Sequence, residues 1–354
     1  MHLLVEFSGE HPTLPQAELE ALLAVHGFRW RPEAMTAPRV GVGLVRAADD
    51  DVTPEDLHFI VHLAMARRVS THLFTVPADP ADLEEEAQRK PLPEGVRFAV
   101  RAERVPEGPG VPKHLRAQDV ERILGRTWDA SARVDLERPD VTVRAVLDGD
   151  RVHVGRLLWD NDRGAFDQRA ARHRPYFSPV SGHPRWMRAI VNLAQPRPGS
   201  VVYDPLCGTG GVLIEAGLVG LKPVGSDLDE RMVEGSRKNL EHFGVNWSRL
   251  FVSDVKEAPG RFREETGLEH ADAIVTDLPY GQSAWTGGTE PEEIGRWTLK
   301  TVAELLRPGG YAVVGAGREG VLSDPPGDLR LVDSFAHRTH KRLTRTYGVL
   351  HREK

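Results

Sequence analysis

Four aspartates and one glycine-rich turn carry the chemistry that can be read directly from this chain. Asp204, Asp227, Asp254 and Asp277 each close a short apolar run: Ser200–Asp204, Pro223–Asp227, Leu250–Asp254 and Ala273–Asp277. The spacing predicts strands that alternate with helices, and a fifth strand is expected at Tyr311–Val314. In an open parallel sheet the ligand crevice lies beyond the carboxyl ends of the strands, so acids at those ends point to a site. After Asp204 come Pro205, Leu206, Cys207, Gly208, Thr209, Gly210 and Gly211, and then a helical pattern through Ala216. Glycines without a Cβ let the backbone approach a ligand, and the amino end of the helix favours a carboxylate or phosphate.

A dinucleotide-binding loop uses the same physics but needs Gly-x-Gly-x-x-Gly directly after the strand. Here Asp204 and Pro205 precede the glycines, and Val212 and Leu213 follow. A carboxylate beside the loop would repel a pyrophosphate and suits an ammonium group. The cofactor that carries both an ammonium and a carboxylate is S-adenosylmethionine. Asp227 lies seventeen residues after Gly210, where an acid is placed for the two ribose hydroxyls. Leu228 is expected to pack on adenine, and Asp254 with Val255 to meet the adenine amino edge. Asp229 can cap a helix that begins at Glu230. Each acid alone reads equally well as a helix cap; it is their order and spacing that point to a nucleotide.

These residues resemble the nucleotide-binding motifs of class I Rossmann-like methyltransferases, over Ser181 to roughly the C-terminus. The expected cofactor set is Asp204, Cys207, Gly208, Thr209, Gly210, Asp227, Leu228, Asp254, Val255 and Asp277. Asp277, Leu278, Pro279, Tyr280 and Gly281 are similar to the Asn/Asp-Pro-Pro-Tyr/Phe motif of amino-directed methyltransferases. An exocyclic base amine is a poor nucleophile because its lone pair is delocalised into the ring. The resemblance implies that Asp277 and the Leu278 carbonyl each accept one N–H, which turns the lone pair towards the methyl group. Tyr280 would offer a face for the base. Leu278 stands where proline is usual, although Pro279 still biases it to extended backbone. Cys207 sits in the cofactor loop and is read as small packing, so no cysteine nucleophile for carbon methylation is expected.

The preceding residues must then supply the substrate. Residues 1–65 show a strand-helix-strand-helix rhythm with a helix at Leu14–Val25, a strand at Val40–Val45 and a helix signal at Thr53–Met65. In residues 66–158 a strand at Phe98–Arg104, a helix at Ala117–Thr127 and a hairpin about Asp148-Gly149-Asp150 are expected, its Arg and His side chains projecting from one sheet face. Residues 159–180 are polar, rich in Arg and end near Arg174-Pro175-Tyr176-Phe177, which reads as a stiff linker. A helix at His183–Leu193 opens the final block, 181–354. The middle block is similar to the RNA-binding THUMP domain. The order of a small ferredoxin-like domain (1–65), THUMP (66–158), linker (159–180) and methyltransferase (181–354) resembles the THUMP-domain tRNA guanosine-N2 methyltransferases of the TrmN kind. The fold class implied is α/β, a mostly parallel seven-stranded sheet preceded by two α+β domains. The implied reaction is N2-methylation of a tRNA guanosine, at position 6 in the acceptor stem, with position 10 or a protein glutamine as the alternatives. A non-catalytic RNA chaperone would have no need of Asp277 and Tyr280.

Bulk properties agree with a polyanionic substrate only through charge placement. The net charge is −6, yet residues 151–200 hold nine Arg against three Asp, and Arg330–Lys354 holds seven Lys or Arg against two acids. The stretches 151–197 and 330–354 are therefore expected to touch tRNA phosphates. An acidic run, Asp82–Glu86, reads as a solvated face. No apolar run reaches the roughly 20 residues of a membrane helix, and no leader is recognisable at Met1. The single cysteine, Cys207, excludes internal disulfides and any cysteine-rich zinc site, and no metal is expected. A cytoplasmic monomer is expected.

Overall fold

A computed structural model describes residues 1–36, 39–47, 51–105, 115–177, 181–247, 249–279, 290–317, 320–340 and 343–353. They divide into two compact units. The first holds Met1–Leu19, Gly27–Val61 and Met65–Asn161, and the second holds Glu20–His26, His62–Ala64 and Asp162–Lys354.

The elements of the first part of the chain are β1 (His2–Phe7), α1 (Leu14–Val25), β2 (Arg29–Thr36), β3 (Val40–Arg46), β4 (Ala66–Pro77), α2 (Pro80–Arg89), β5 (Arg97–Arg104), α3 (Ala117–Trp128), β6 (Arg133–Val134), β7 (Val141–Asp148) and β8 (Arg151–Asp160). Their strands form one eight-stranded sheet in the order β2-β3-β1-β4-β8-β7-β5-β6. It is antiparallel except where β5 pairs with β6 and β7. The hairpin between β7 and β8 turns at Gly149, whose φ of 57° suits a residue without a Cβ. Helices α2 and α3 bury Leu83, Ala87, Val120, Leu124 and Trp128 against Phe98, Val100, Val143 and Val154 of the sheet.

The acidic run 82–86 lies on helix α2, capped by the Asp79 side chain and anchored by buried Leu83, with Asp82 and Glu85 exposed as a solvated face predicts. Two features depart from the sequence expectation. The helix expected at Thr53–Met65 is a 3₁₀ segment, Glu55–His62, broken at Leu57 (φ −98°, ψ 21°). At its start the Thr53 N–H and hydroxyl both donate to Asp56. Finally, Arg144 and His153 of the hairpin are buried, not projecting. Arg144 donates to Glu6 at 2.8 and 2.9 Å and to Glu103 at 3.2 Å, while His153 is hydrogen-bonded to Thr75 at 2.9 Å.

The stretch expected as linker carries structure of its own. β8 runs to Asp160, α4 (Arg163–Gln168) starts from an Asp162 cap, and a 3₁₀ turn spans Ala171–His173. The second unit continues with α5 (Pro184–Leu193), β9 (Val201–Asp204), α6 (Gly211–Leu218), β10 (Lys222–Asp227), α7 (Glu230–His242), β11 (Arg249–Val252), α8 (Ala258–Thr266), β12 (Ala271–Asp277), α9 (Pro291–Leu305), β13 (Leu306–Ala316), β14 (Leu329–His340) and β15 (Leu343–Arg352). Seven strands form the sheet β11-β10-β9-β12-β13-β15-β14, parallel from β11 to β13 and antiparallel through β15 and β14. The mostly parallel seven-stranded sheet is thus as expected.

Parallel strands are covered on both faces, and two apolar clusters do so here. One gathers Tyr203, Phe251, Ile274 and Val314 with Phe262 of α8 and Leu299, Val302 and Leu305 of α9. The other gathers Cys207, Leu213, Ile214, Leu240 and Val245 around α6 and α7. No described helix is long and apolar enough to cross a membrane.

Candidate active site at the strand ends

Asp227, Asp204 and Asp277 close the neighbouring strands β10, β9 and β12, so the sheet order itself brings three carboxylates side by side. Asp204 is 2 % exposed. Its Oδ1 accepts from the Thr276 hydroxyl at 2.7 Å and from the Leu206 N–H at 3.1 Å. Burial, with Asp227 and Asp277 nearby, pushes its pKa up to about 7.

The loop between β9 and α6 is built around Asp227. One oxygen of Asp227 accepts the Gly208 N–H at 2.9 Å and the other accepts the Asp229 N–H at 3.0 Å. Burial raises this carboxyl as well. Gly210 caps α6 with φ of 80°, and a Cβ there would stand 2.4 Å from Ser236 Oγ, so both backbone and space require glycine. Thr209 is buried, and its hydroxyl is hydrogen-bonded to Ser181 at 2.9 Å. Asn239 of α7 donates to the carbonyls of Thr209 and Tyr176, both at 3.0 Å, and accepts the Tyr176 N–H. Cys207 is buried in the apolar cluster beneath the loop, and burial pushes its thiol up, as small packing predicts. Leu228 is exposed beside the loop, and Asp229 caps α7 through the Arg231 N–H, as its position suggested.

Asp254 is placed differently from the expectation. β11 ends at Val252, so Asp254 lies two residues beyond the strand, in a turn where it accepts the Lys256 N–H at 2.9 Å. The Ser253 N–H bonds the Asp227 carbonyl at 3.0 Å, which draws this turn alongside β10. Val255 is buried and its carbonyl accepts from Thr301 at 2.9 Å.

Asp277 ends β12 opposite Gly315 of β13, and the Leu278 N–H donates to the Gly315 carbonyl at 2.9 Å. That bond ties the Leu278 backbone to β13 at the position where proline is usual in similar motifs. Asp277 Oδ2 accepts from Arg345 Nη1 at 2.7 Å, while among the described residues no group donates to the buried Oδ1. A carboxylate side chain 16 % exposed, with burial as the larger influence and the Arg345 charge opposing it, has its pKa raised to about 6. Tyr280 lies outside the described residues.

Sequence reasoning missed Arg345 and its surroundings, counting it among the surface charges of the tail. On β15, Arg345, Tyr347 and Val349 alternate inward, and Arg345 is 4 % exposed. Its guanidinium also donates to the Tyr347 hydroxyl at 3.3 Å. Trp186 of α5 stacks on His337 and Tyr347, with ring centroids 3.8 and 5.8 Å apart. The period-two pattern Arg345-Thr346-Tyr347-Gly348-Val349 was the available signal. Two further arginines of the expected basic surface, Arg169 and Arg188, turn inward onto Glu215 at 2.7 and 2.8 Å.

Comparisons with known proteins show the family. Residues 171–324 match the family described as RMKL-like, methyltransferase domain. The chain is 33% identical over 99% of its length, and 100% of the relative's, to a tRNA (guanine(10)-N2)-dimethyltransferase of Methanothermobacter thermautotrophicus. It is 29% identical over 96% of its length, and 95% of the relative's, to a tRNA (guanine(6)-N2)-methyltransferase of Thermus thermophilus. The crystal structure of TrmN from Thermus thermophilus shares the fold, at 24% identity with a TM-score of 0.56, covering 99% of this chain and 100% of that one. The chain, matched end to end, belongs to the tRNA guanine-N2 methyltransferase family.

Proposed function

We propose that this protein transfers a methyl group from S-adenosylmethionine to the N2 amine of guanosine 10 in tRNA. The observation that carries the reading is the end-to-end similarity, at 33% identity, to an enzyme named for guanosine 10. It moves the preferred nucleotide from position 6 to position 10. The second reading, guanosine 6, keeps the support of the relative named for that position.

The residues fit the cofactor. Three acids at adjacent strand ends, a glycine loop at a helix amino end and an exposed Leu228 offer acceptors, close backbone and an apolar surface. In this reading Asp204 takes the ammonium group, and Gly208, Thr209 and Gly210 the methionyl backbone. Asp227 takes the ribose hydroxyls, with Leu228, Asp254 and Val255 about the adenine. When bound, S-adenosylmethionine would supply a methyl group activated on a sulfonium for transfer to the amine. Asp277 Oδ1, which lacks a donor among the described residues, accepts one amine N–H, and the carbonyl of Leu278 the other. The proton then released from nitrogen passes to the Asp277 carboxylate and on to water.

In the proposed organisation, residues 1–65 are a ferredoxin-like module, 66–158 a THUMP module, 159–180 a connector and 181–354 the catalytic module. The N-terminal modules hold tRNA, aided by the exposed arginines of 151–197, such as Arg151, Arg156, Arg172 and Arg197, and by Arg330 and Arg338 in the tail. The protein works as a monomer in the cytoplasm.

Inosine lacks the N2 amine of guanosine, which gives a direct test. Transcripts carrying inosine at position 10 are expected to accept no methyl label, while inosine at position 6 leaves labelling intact. The opposite pattern overturns position 10 in favour of position 6, and label retained by both overturns the reading altogether. A second expectation concerns Asp227→Ala, which removes the acceptor that holds Gly208 as well as the ribose partner. It should weaken S-adenosylmethionine binding by about 1–3 kcal/mol, the scale of a charge-assisted hydrogen bond. Titration calorimetry on the folded variant checks this, and unchanged affinity removes Asp227 from the site.

A further inference from the structure

We propose that Arg345 is a positioning residue for methyl transfer, clamping one oxygen of Asp277 so that the other is held towards the target amine. The inference rests on the reading of Asp277 as the acceptor of that amine. Its basis is geometric. Oδ2 accepts from Arg345 Nη1 at 2.7 Å, and the arginine side chain is only 5 % exposed. On the other side a Cβ at Gly315 would lie 2.4 Å from Oδ1 and 2.8 Å from the Tyr347 ring. The carboxylate is therefore gripped at Oδ2 and closely backed at Oδ1, which leaves it little freedom to rotate. Oδ1 is buried with no donor among the described residues, an unmet acceptor that substrate would satisfy.

The charges about Asp277 decide the second consequence. Arg345 and Tyr347 face it from β15 and Asp204 from β9, while Gly315 of β13 adds no side chain. Burial favours the protonated acid, and Tyr347 is neutral because burial raises its phenol. Arg345 is the cation in this set. It opposes the effect of burial and holds Asp277 near 6, so that the carboxylate is the main form at neutral pH. A carboxyl with a raised pKa loses its charge as pH falls through that value. Without Arg345 the same loss occurs at higher pH.

Arg345→Met and Arg345→Lys test this by single-turnover methylation across pH, with calorimetry for cofactor and gel shift for tRNA on the same samples. Arg345→Met is expected to slow transfer by roughly 10–100-fold at pH 7, the scale of a misplaced reacting group. The acidic limb of its profile should move up by about 1–3 pH units. Both affinities should stay within about twofold of the parent, since ground-state binding is untouched. Arg345→Lys keeps the charge and should hold the limb at the parent pH, with a rate between the parent and Arg345→Met. If Arg345→Met does not fold, Arg345→Lys alone decides: a rate equal to the parent, or a limb shifted as far as loss of the charge predicts, overturns the proposal. So does Arg345→Met with an unmoved limb. Asp277→Asn separates the two layers of argument. If Asp277→Asn retains the parent rate, the reading of the site fails. If it is slow and Arg345→Met shifts nothing, only the role of Arg345 fails.

Discussion

Asp277→Ala is expected to lower the single-turnover methylation rate by about 10²–10³-fold while leaving tRNA affinity nearly unchanged. That range is the cost of removing one preorganised electrostatic partner from a site where charge develops. The carboxylate meets the amine most strongly as positive charge builds on nitrogen, so its loss falls on the rate more than on binding. The variant also strips Arg345 of a partner at 2.7 Å in a buried setting, which costs stability in its own right. Asp277→Asn separates these effects, because the amide can still accept from Arg345 yet carries no charge. Both variants should be slow, and Asp277→Asn should bind S-adenosylmethionine nearly as the parent does. Because burial raises Asp277 to about 6, the parent should itself lose activity as pH falls through that value. A parent rate in Asp277→Ala would remove the proposed reaction site, however well the loop fits a cofactor.

The parts of this protein that were legible in its sequence are those set by local rules. Strand-ending acids and a glycine loop announce a parallel sheet with its crevice at one edge, because strand direction and backbone space dictate both. The strands ending at Asp204, Asp227 and Asp277 are where the periodicity placed them. Asp254 missed its strand by two residues because its side chain is engaged in a local turn with Lys256, a competition that aspartate often wins. What the pattern hid were pairings distant in sequence. Arg345 reads as one more charge in a basic tail, and only the antiparallel pairing of β15 with β13 sets it against Asp277. Strand β4, twelve residues long, escaped notice because its polar residues, among them Arg68, Ser70 and His72, blur the alternation. Arg68 is accommodated by partners from other strands, Glu6 and Glu103, and His72 by Thr75 of its own strand. Charge counting along the chain fails for the same reason: Arg144, Arg169, Arg188 and Arg345 all pair inward.

Glu215→Ala is expected to destabilise the second unit by about 3–5 kcal/mol, the cost of removing one partner from a buried ion pair. Glu215 is fully buried on α6, one turn beyond the cofactor loop. Its carboxylate accepts from Arg169 Nε at 2.7 Å and Nη2 at 3.1 Å, and forms a 2.8 Å ion pair with Arg188 Nη2. Arg174 is also buried nearby, where burial lowers its pKa and the Glu215 charge opposes that effect. Arg169 and Arg188 thus pair with one carboxylate beside a third buried arginine, and its removal leaves their charge in a medium that solvates it poorly. An exposed pair makes the internal comparison. Glu85 pairs with Arg89 on α2 with both side chains more than half exposed, so Glu85→Ala should change stability by less than about 1 kcal/mol. Scanning calorimetry separates the two outcomes. At about 2–4 °C per kcal/mol for a unit of this size, Glu215→Ala should lower the Tm by roughly 10 °C. A fall no larger than that of Glu85→Ala would mean that water reaches Arg169 and Arg188. In that case the arginines would belong with the surface charges available to RNA, not with the supports of the cofactor loop.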